Sequence, residues 1–199
     1  MEERIAVEAV GNRGVRGRPG LVLAVVSSAV FMAMLDNLAM NNALPSISEE
    51  LGVGVSGLQW VVAGYTLVIA ATLLSASVVG DWLGQRRAFL LGLVGFMAGS
   101  AIGSVADGWA LLVAGRGIQG LGAAVLLPAG TALLRHAYTD DGRRARAIGV
   151  RGAVGGLGIA LGPAVGGPLV DALGWRSVLW INLPVGVAAL VAGGRVLPH

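Results

Sequence analysis

Six apolar stretches, each about twenty residues long or a little more, leave this chain few ways to fold. They run at roughly 21–45, 58–80, 88–106, 109–134, 147–170 and 177–197, and about 20 apolar residues in a helix rise far enough to cross the ~30 Å hydrocarbon core of a bilayer. Inside lipid every backbone N–H and C=O needs an internal partner, which only helices and closed barrels supply. Barrel strands are about half this length and alternate polar with apolar residues; these stretches do neither. The expected fold is therefore all-α, a polytopic membrane protein with six transmembrane helices over 20–199 and a polar cytoplasmic tail over 1–19. A hydrophobic fraction of 55% against 13% charged residues leaves too little polar surface for a soluble domain of this size.

All 14 basic residues are arginine and the formal net charge is +3. They stand in short connections rather than along a polar stripe, so no nucleic-acid partner is expected, and they read as topology signals instead. The first connection carries Glu49 and Glu50, the second Arg86 and Arg87, and the third only Asp107. The fourth holds Arg135, Arg143, Arg144 and Arg146, and the fifth Asp171 and Arg176. The alternation places both termini and the 81–87 and 135–146 loops of this multi-pass protein in the cytoplasm, and the plasma membrane is the expected location. Trp60, Trp109, Trp175 and Trp180 then fall at the outer interface, where indoles anchor. The first stretch has the basic flank and small residues of a secretory signal, but five further spans and a carboxylate inside it argue for an uncleaved helix. The absence of cysteine excludes disulfides and thiolate metal sites.

Two charges stand where the membrane disfavours them. Asp36 lies nine residues before Pro45, ~14 Å below the outer end of its span. Arg116 lies seven residues after Trp109, ~10 Å below the same side. A carboxylate near mid-bilayer costs about 2.5–3.5 kcal/mol on insertion scales and marks a partner or a cavity. The matching depths predict that Asp36 and Arg116 pair across a central cavity, and that protonating Asp36 releases Arg116. Gln119, three residues from Arg116 on the same helical face, either lines that cavity or makes an ordinary interhelical hydrogen bond.

The stretch GIALGPAVGGPL, residues 158–169, sets Gly158, Gly162 and Gly166 four residues apart on one face, with Pro163 interrupting the ladder. Such a stripe lets another backbone approach closely. At the end of the second span, SVVGDWLGQRRAFL (77–90) presents Asp81, Gly84, Arg86 and Arg87. Gly84 suits a sharp helix end, and Asp81 contributes nothing to orientation on an inside loop. The string GVSG at 54–57 on six spans would suit an intramembrane serine protease, but its serine needs a histidine base within reach. His136 and His199 are both on the opposite side, ~30 Å away, so the chain is not expected to be an enzyme and the string reads as an outer loop.

Taken in order, these motifs resemble the major facilitator superfamily, and within it the drug:proton antiporter branch with fourteen spans. LDNLAMNNALP (35–45) resembles that branch's first-helix signature, with Asp36, Asn41 and Pro45 in place. QWVVAGY (59–65) is similar to the stretch after the first outer loop, and SVVGDWLGQRR to the superfamily's loop motif, a cytoplasmic gate carried by Asp81, Gly84, Arg86 and Arg87. LLVAGRGIQGLGAA (111–124) resembles the fourth-helix motif, with Leu112, Arg116, Gln119, Gly120 and Gly122 matching; in the family its arginine is associated with proton coupling. GIALGPAVGGPL, with Gly158, Gly162, Pro163, Gly166 and Gly167, resembles the antiporter motif of exporters, and GWRSVLWINLPVG (174–186) the passage into the sixth helix.

The resemblance covers 21–197 and implies six helices as two three-helix repeats, the N-terminal half of a transporter. It implies export of drug-like, amphipathic small molecules, no cofactor, and a proton gradient as energy source. Proton coupling and the substrate cavity would fall to Asp36, Arg116, Gln119 and Asn41. The family joins two such halves around the substrate, so this chain is expected to be a fragment, or a half that works with a second half or an equivalent subunit. The glycine stripe of span five is then expected to pack against that second half. An uptake carrier for a small metabolite, and a non-transporting truncated half, are the alternatives. Departures from the family pattern are Ser77 for glycine, Trp82 for arginine and Gln85 for a basic residue, which weaken the gate's charge network, and Leu38 for threonine, which would alter substrate contacts.

Overall fold

Pro19 opens the first helix, and proline is well suited to that position because its missing N–H would have no intrahelical partner. The computed structural model describes residues 19–198; the tail expected at 1–19 thus lies outside the described residues except for Pro19, which is helical. Among the described residues seven helices follow in order: α1 (Pro19–Leu51), α2 (Val55–Leu83), α3 (Gln85–Ser104), α4 (Trp109–Ala137), α5 (Asp141–Leu173), α6 (Arg176–Trp180) and α7 (Asn182–Val196). Taking α6 and α7 as one, six helices among the described residues are long and apolar enough to cross a membrane. Most outrun the expected spans at one or both ends. At 33 residues each, α1 and α5 measure ~50 Å against a hydrocarbon core of ~30 Å.

Local chemistry sets the ends. Asp140 caps α5, its carboxylate accepting from the Arg143 amide at 2.8 Å. Gly84 joins α2 to α3 in a left-handed conformation, φ +83°, where a Cβ would clash with its own backbone. The last span is two helices rather than one. Pro184 has no N–H to return to the Trp180 carbonyl four residues earlier, so the ladder breaks at Ile181 and restarts at Asn182.

In the packing, α3 lies along α4, α1 along α5 and α2 along α4, with α6 and α7 against α1 and α3. If α1–α3 and α4–α7 are taken as two three-helix units, the α1–α5 and α4–α2 contacts are equivalent, as are α4–α3 and α1–α7. That pairing is the internal symmetry of two repeats. Glycines bring these backbones together. A methyl group added at Gly99 on α3 would stand 2.5 Å from the Gln119 amide nitrogen of α4.

The glycine stripe of α5 corrects an expectation. A methyl at Gly158 would stand 2.7 Å from the Phe31 carbonyl oxygen, one at Gly162 2.5 Å from Leu38 Cβ, and one at Gly166 2.8 Å from Ala39 Cα. The stripe seats α1 of this same chain, so it is not a free surface for a second half. Leu38 Cβ lies in that seam, facing Gly162. Pro163 and Gly167 lie off the seam, Pro163 exposed and Gly167 half-buried. The Asn42 amide donates to the Pro163 carbonyl at 2.9 Å, adding a polar tie between the two helices.

A second correction concerns Trp175, expected as an interface anchor. It is fully buried, and its indole N–H donates to Glu50 at 2.8 Å. Glu50 also pairs with Arg176, which stacks on Trp175 at 4.3 Å and donates to the Ala106 carbonyl at 2.8 Å. These residues clamp the end of α1, the α3–α4 connection and the start of α6. Trp60, Trp109 and Trp180 do remain exposed.

Two apolar clusters fill the bundle. One surrounds α1 from Val22 to Ala33 with Phe89, Phe96 and Leu126; the other surrounds α1 from Leu35 to Ile47 with Leu112, Trp175 and Leu179. Between them the core turns polar.

Candidate functional site

Asp36 projects from the middle of α1, at the junction of the two apolar clusters, and is fully buried. Three donors converge on it. Arg116 of α4 gives Nη1–H to Oδ2 at 2.5 Å, Asn182 of α7 gives Nδ2–H to Oδ1 at 2.6 Å, and Gln119 of α4 gives Nε2–H to Oδ1 at 3.3 Å. Helical spacing puts Arg116 and Gln119 one turn apart, so Arg116 Nη1 also donates to Gln119 Oε1 at 2.9 Å. Ser100 of α3 accepts from Gln119 at 2.7 Å and from Asn182 at 3.1 Å. Arg116 Nε donates to the Val61 carbonyl of α2 at 3.3 Å, and the guanidinium lies over the Tyr65 ring, 4.4 Å from its centre. Five helices thus close on one ion pair with neither side chain exposed.

The expected pairing of Asp36 with Arg116 is present, but not across a cavity: the carboxylate and guanidinium touch directly. Close packing dictates this. Glycines at 99, 115 and 122 pull α3 onto α4, and the polar side chains fill the remaining space. A buried pair of this kind is strongly destabilising to break, by about 3–5 kcal/mol, because one charge is left uncompensated. Asp36 is thus the one carboxylate that compensates the Arg116 charge at this site. Two polar atoms in it remain without a hydrogen-bond partner, Arg116 Nη2 and Asn182 Oδ1. Asn41 is not brought into the cluster; five residues beyond Asp36 on α1, it is exposed.

At the expected cytoplasmic end, Asp81, Gly84, Arg86 and Arg87 share the α2–α3 turn. Gln85, which replaces a basic residue of the family pattern, donates its amide to Asp81 at 3.1 Å. Arg86 reaches across to the Gly194 carbonyl of α7, while Arg87 is exposed. An open cleft of about 410 Å³ lies between Asp81, Arg86, Leu133 and His136. Among the described residues, no three carboxylates or histidines gather where a metal ion would sit.

Sequence reasoning missed Asn182, Ser100 and Tyr65. The signal for Asn182 was present as the one asparagine in the last apolar stretch, inside the quoted WINLPVG. Ser100 and Tyr65 carry no comparable signal, since serine and tyrosine are ordinary in membrane helices. Arg151 was also missed, although it sits inside the fifth apolar stretch just as Arg116 sits inside the fourth. Its Nη2 donates to the Leu127 carbonyl of α4 at 2.9 Å.

The comparisons with known proteins agree with this architecture. The family model described as Major Facilitator Superfamily matches residues 26–199. The chain is 42% identical over 170 residues to the multidrug resistance protein Stp of Mycobacterium tuberculosis, covering 85% of this chain and 32% of that protein. It is 40% identical over 184 residues to the tetracenomycin C resistance and export protein of Streptomyces glaucescens, covering 92% of this chain and 34% of that protein. The chain spans about a third of the length of these curated relatives. The crystal structure of the human organic anion transporter MFSD10 superposes with a TM-score of 0.71 at 20% identity, covering 91% of this chain and 48% of that one. At that identity the likeness speaks for the fold.

Proposed function

Since the chain belongs to the Major Facilitator Superfamily, we propose that it forms the proton-coupling six-helix unit of an exporter of small organic molecules. The observation that carries this reading is the buried Asp36–Arg116 pair, a titratable group held by one cation at the centre of the bundle. Its relatives include proteins named for multidrug resistance and for resistance and export, which favours drug-like cargo and outward transport. A proton taken up from outside neutralises Asp36 and frees Arg116; loss of that proton to the cytoplasm restores the pair. No cofactor enters the cycle, and the protein works by transport rather than catalysis.

The unit acts together with a second helical bundle across a shared substrate path, in the plasma membrane with the 81–87 and 135–146 loops inside. The exposed apolar residues of α2 and α5, among them Leu74, Val78 and Leu157, support such a neighbour or the lipid as their partner. The glycine stripe is excluded from that role because α1 already covers it.

The test is efflux of an amphipathic dye from cells expressing the gene that encodes this chain. Efflux is expected to stop when the proton gradient is collapsed, and to be lost in Asp36→Asn. Efflux that continues unchanged under either condition would refute proton coupling through Asp36.

A further inference from the structure

A carboxylate and a carboxylic acid make opposite demands on their neighbours. The ionised form only accepts hydrogen bonds, whereas the protonated form must also donate its O–H. A group buried in a dry core and cycling between the two needs partners for both, since an unmade buried hydrogen bond is costly.

Around Asp36 the ionised form is well served, with Arg116, Asn182 and Gln119 all donating to it. The open question is which atom accepts from the acid. Gln119 Oε1 is already taken by Arg116 Nη1, and Ser100 Oγ already accepts from Gln119 and Asn182. Asn182 Oδ1 is different. It is buried, has no hydrogen-bond partner, and belongs to the same carboxamide whose Nδ2 lies 2.6 Å from Asp36. Asn182 is the first residue of α7, directly after the break at Ile181.

We propose that Asn182 is the positioning residue for proton uptake by Asp36, presenting its amide N–H to the carboxylate and its amide oxygen to the acid. The step balances as follows. A hydronium ion from the outer side gives its proton to Asp36 Oδ1, so that one O–H bond breaks in the hydronium, leaving water, and one forms on the carboxylate. The Asn182 carboxamide turns about χ2 so that Nδ2 and Oδ1 exchange places, Nδ2 gives up its bonds to Asp36 and Ser100, and the new O–H donates to Asn182 Oδ1. Ser100, whose hydroxyl can donate as well as accept, follows by turning its hydrogen toward the amide oxygen. Asp36 passes from −1 to 0 while Arg116 keeps +1, so the contact between them loses its charge–charge attraction. The charged and titratable groups facing Asp36 are Arg116 from α4 and, behind it, Tyr65 from α2; α3 and α7 present only the neutral Ser100 and Asn182.

This inference rests on the reading of Asp36 as the proton-carrying group and adds the residue that serves both of its states. It is tested by infrared difference spectroscopy of the purified chain in lipid bilayers, titrated with acid, with Asp36→Asn used to assign the Asp36 carbonyl band. In Asn182→Leu the acid loses its acceptor, and its carbonyl stretch is expected to move to higher frequency. Asn182→Ser, which keeps a donor and an acceptor on a shorter arm, is expected to restore part of that displacement. A band at the same frequency in both variants would overturn the inference. Should Asn182→Leu fail to fold, an unshifted band in Asn182→Ser overturns it alone, because the shorter side chain cannot reproduce the same contact. If the unsubstituted protein shows no band that Asp36→Asn removes, the proton-carrying reading itself fails, and the inference with it.

Discussion

Replacing Asp36 by asparagine tests the central ion pair most directly, because the two side chains are nearly the same shape. Oδ2 of the carboxylate takes the Arg116 donor, and Oδ1 takes the donors of Asn182 and Gln119. An asparagine has one acceptor oxygen for those three donors. If it faces Arg116, its own NH2 opposes two amide donors; if it faces the amides, the NH2 opposes the guanidinium. In either orientation Arg116 remains fully buried with only neutral acceptors. Removing one partner of a buried pair costs about 3–5 kcal/mol. For a domain of this size about 2–4 °C in Tm accompanies each kcal/mol, so the expected loss is roughly 6–20 °C. Thermal unfolding in detergent, followed by intrinsic tryptophan fluorescence, reads it. The double variant Asp36→Asn with Arg116→Gln removes the uncompensated charge and is expected to unfold several degrees above Asp36→Asn. A single variant within about 2 °C of the parent, or a double variant equal to the sum of the singles, would refute the argument, since neighbours that share an ion pair do not behave additively.

Three further outcomes follow from the packing. Gly162→Leu forces a side chain into the α1–α5 seam, where even its Cβ would stand 2.5 Å from Leu38 Cβ; it is expected to destabilise by about 1–3 kcal/mol or more, while Gly156→Leu on the open side of α5 changes Tm little. Gly84→Ala places a Cβ at φ +83° and is expected to cost about 1–2 kcal/mol, read as a lower unfolding temperature with unchanged helical circular dichroism at low temperature. Trp175→Phe puts a smaller ring in a fully buried site and removes the bond to Glu50; because Glu50 is half-exposed the lost bond costs below about 1.5 kcal/mol, and the cavity left by the smaller ring adds to it. The same variant removes the tryptophan best shielded from a quencher carried on lipid chains, so quenching of the remaining fluorescence rises; an unchanged quenched fraction would contradict the burial of Trp175.

The apolar stretches, the loop arginines and the depths of Asp36 and Arg116 were all legible along the chain, because each depends on local composition or on the fixed rise of a helix. Arithmetic along two helices put the carboxylate and the guanidinium at one level, and the structure joins them. Helical periodicity likewise found the α5 glycine face, since residues four apart share a side whatever lies opposite. The Pro184 break was available from the same rules, but an unbroken apolar run from 177 to 197 concealed it.

What no local rule contains is the identity of the surface that meets a face. The stripe of Gly158, Gly162 and Gly166 demanded a close neighbour, and only the packed bundle made that neighbour α1. Trp175 had the residue type and position of an interface anchor, yet the clamp between Glu50 and Arg176 drew it inside. Asn182, Ser100 and Tyr65 came to the Asp36–Arg116 cluster from three other helices, Asn182 standing 146 residues along the chain from Asp36. Sequence by itself determined the six apolar spans and the charges that the membrane makes costly, though not the full helix lengths. The tertiary structure alone decided which helix covers which face and how many donors a buried carboxylate receives, because those follow from close packing among distant segments.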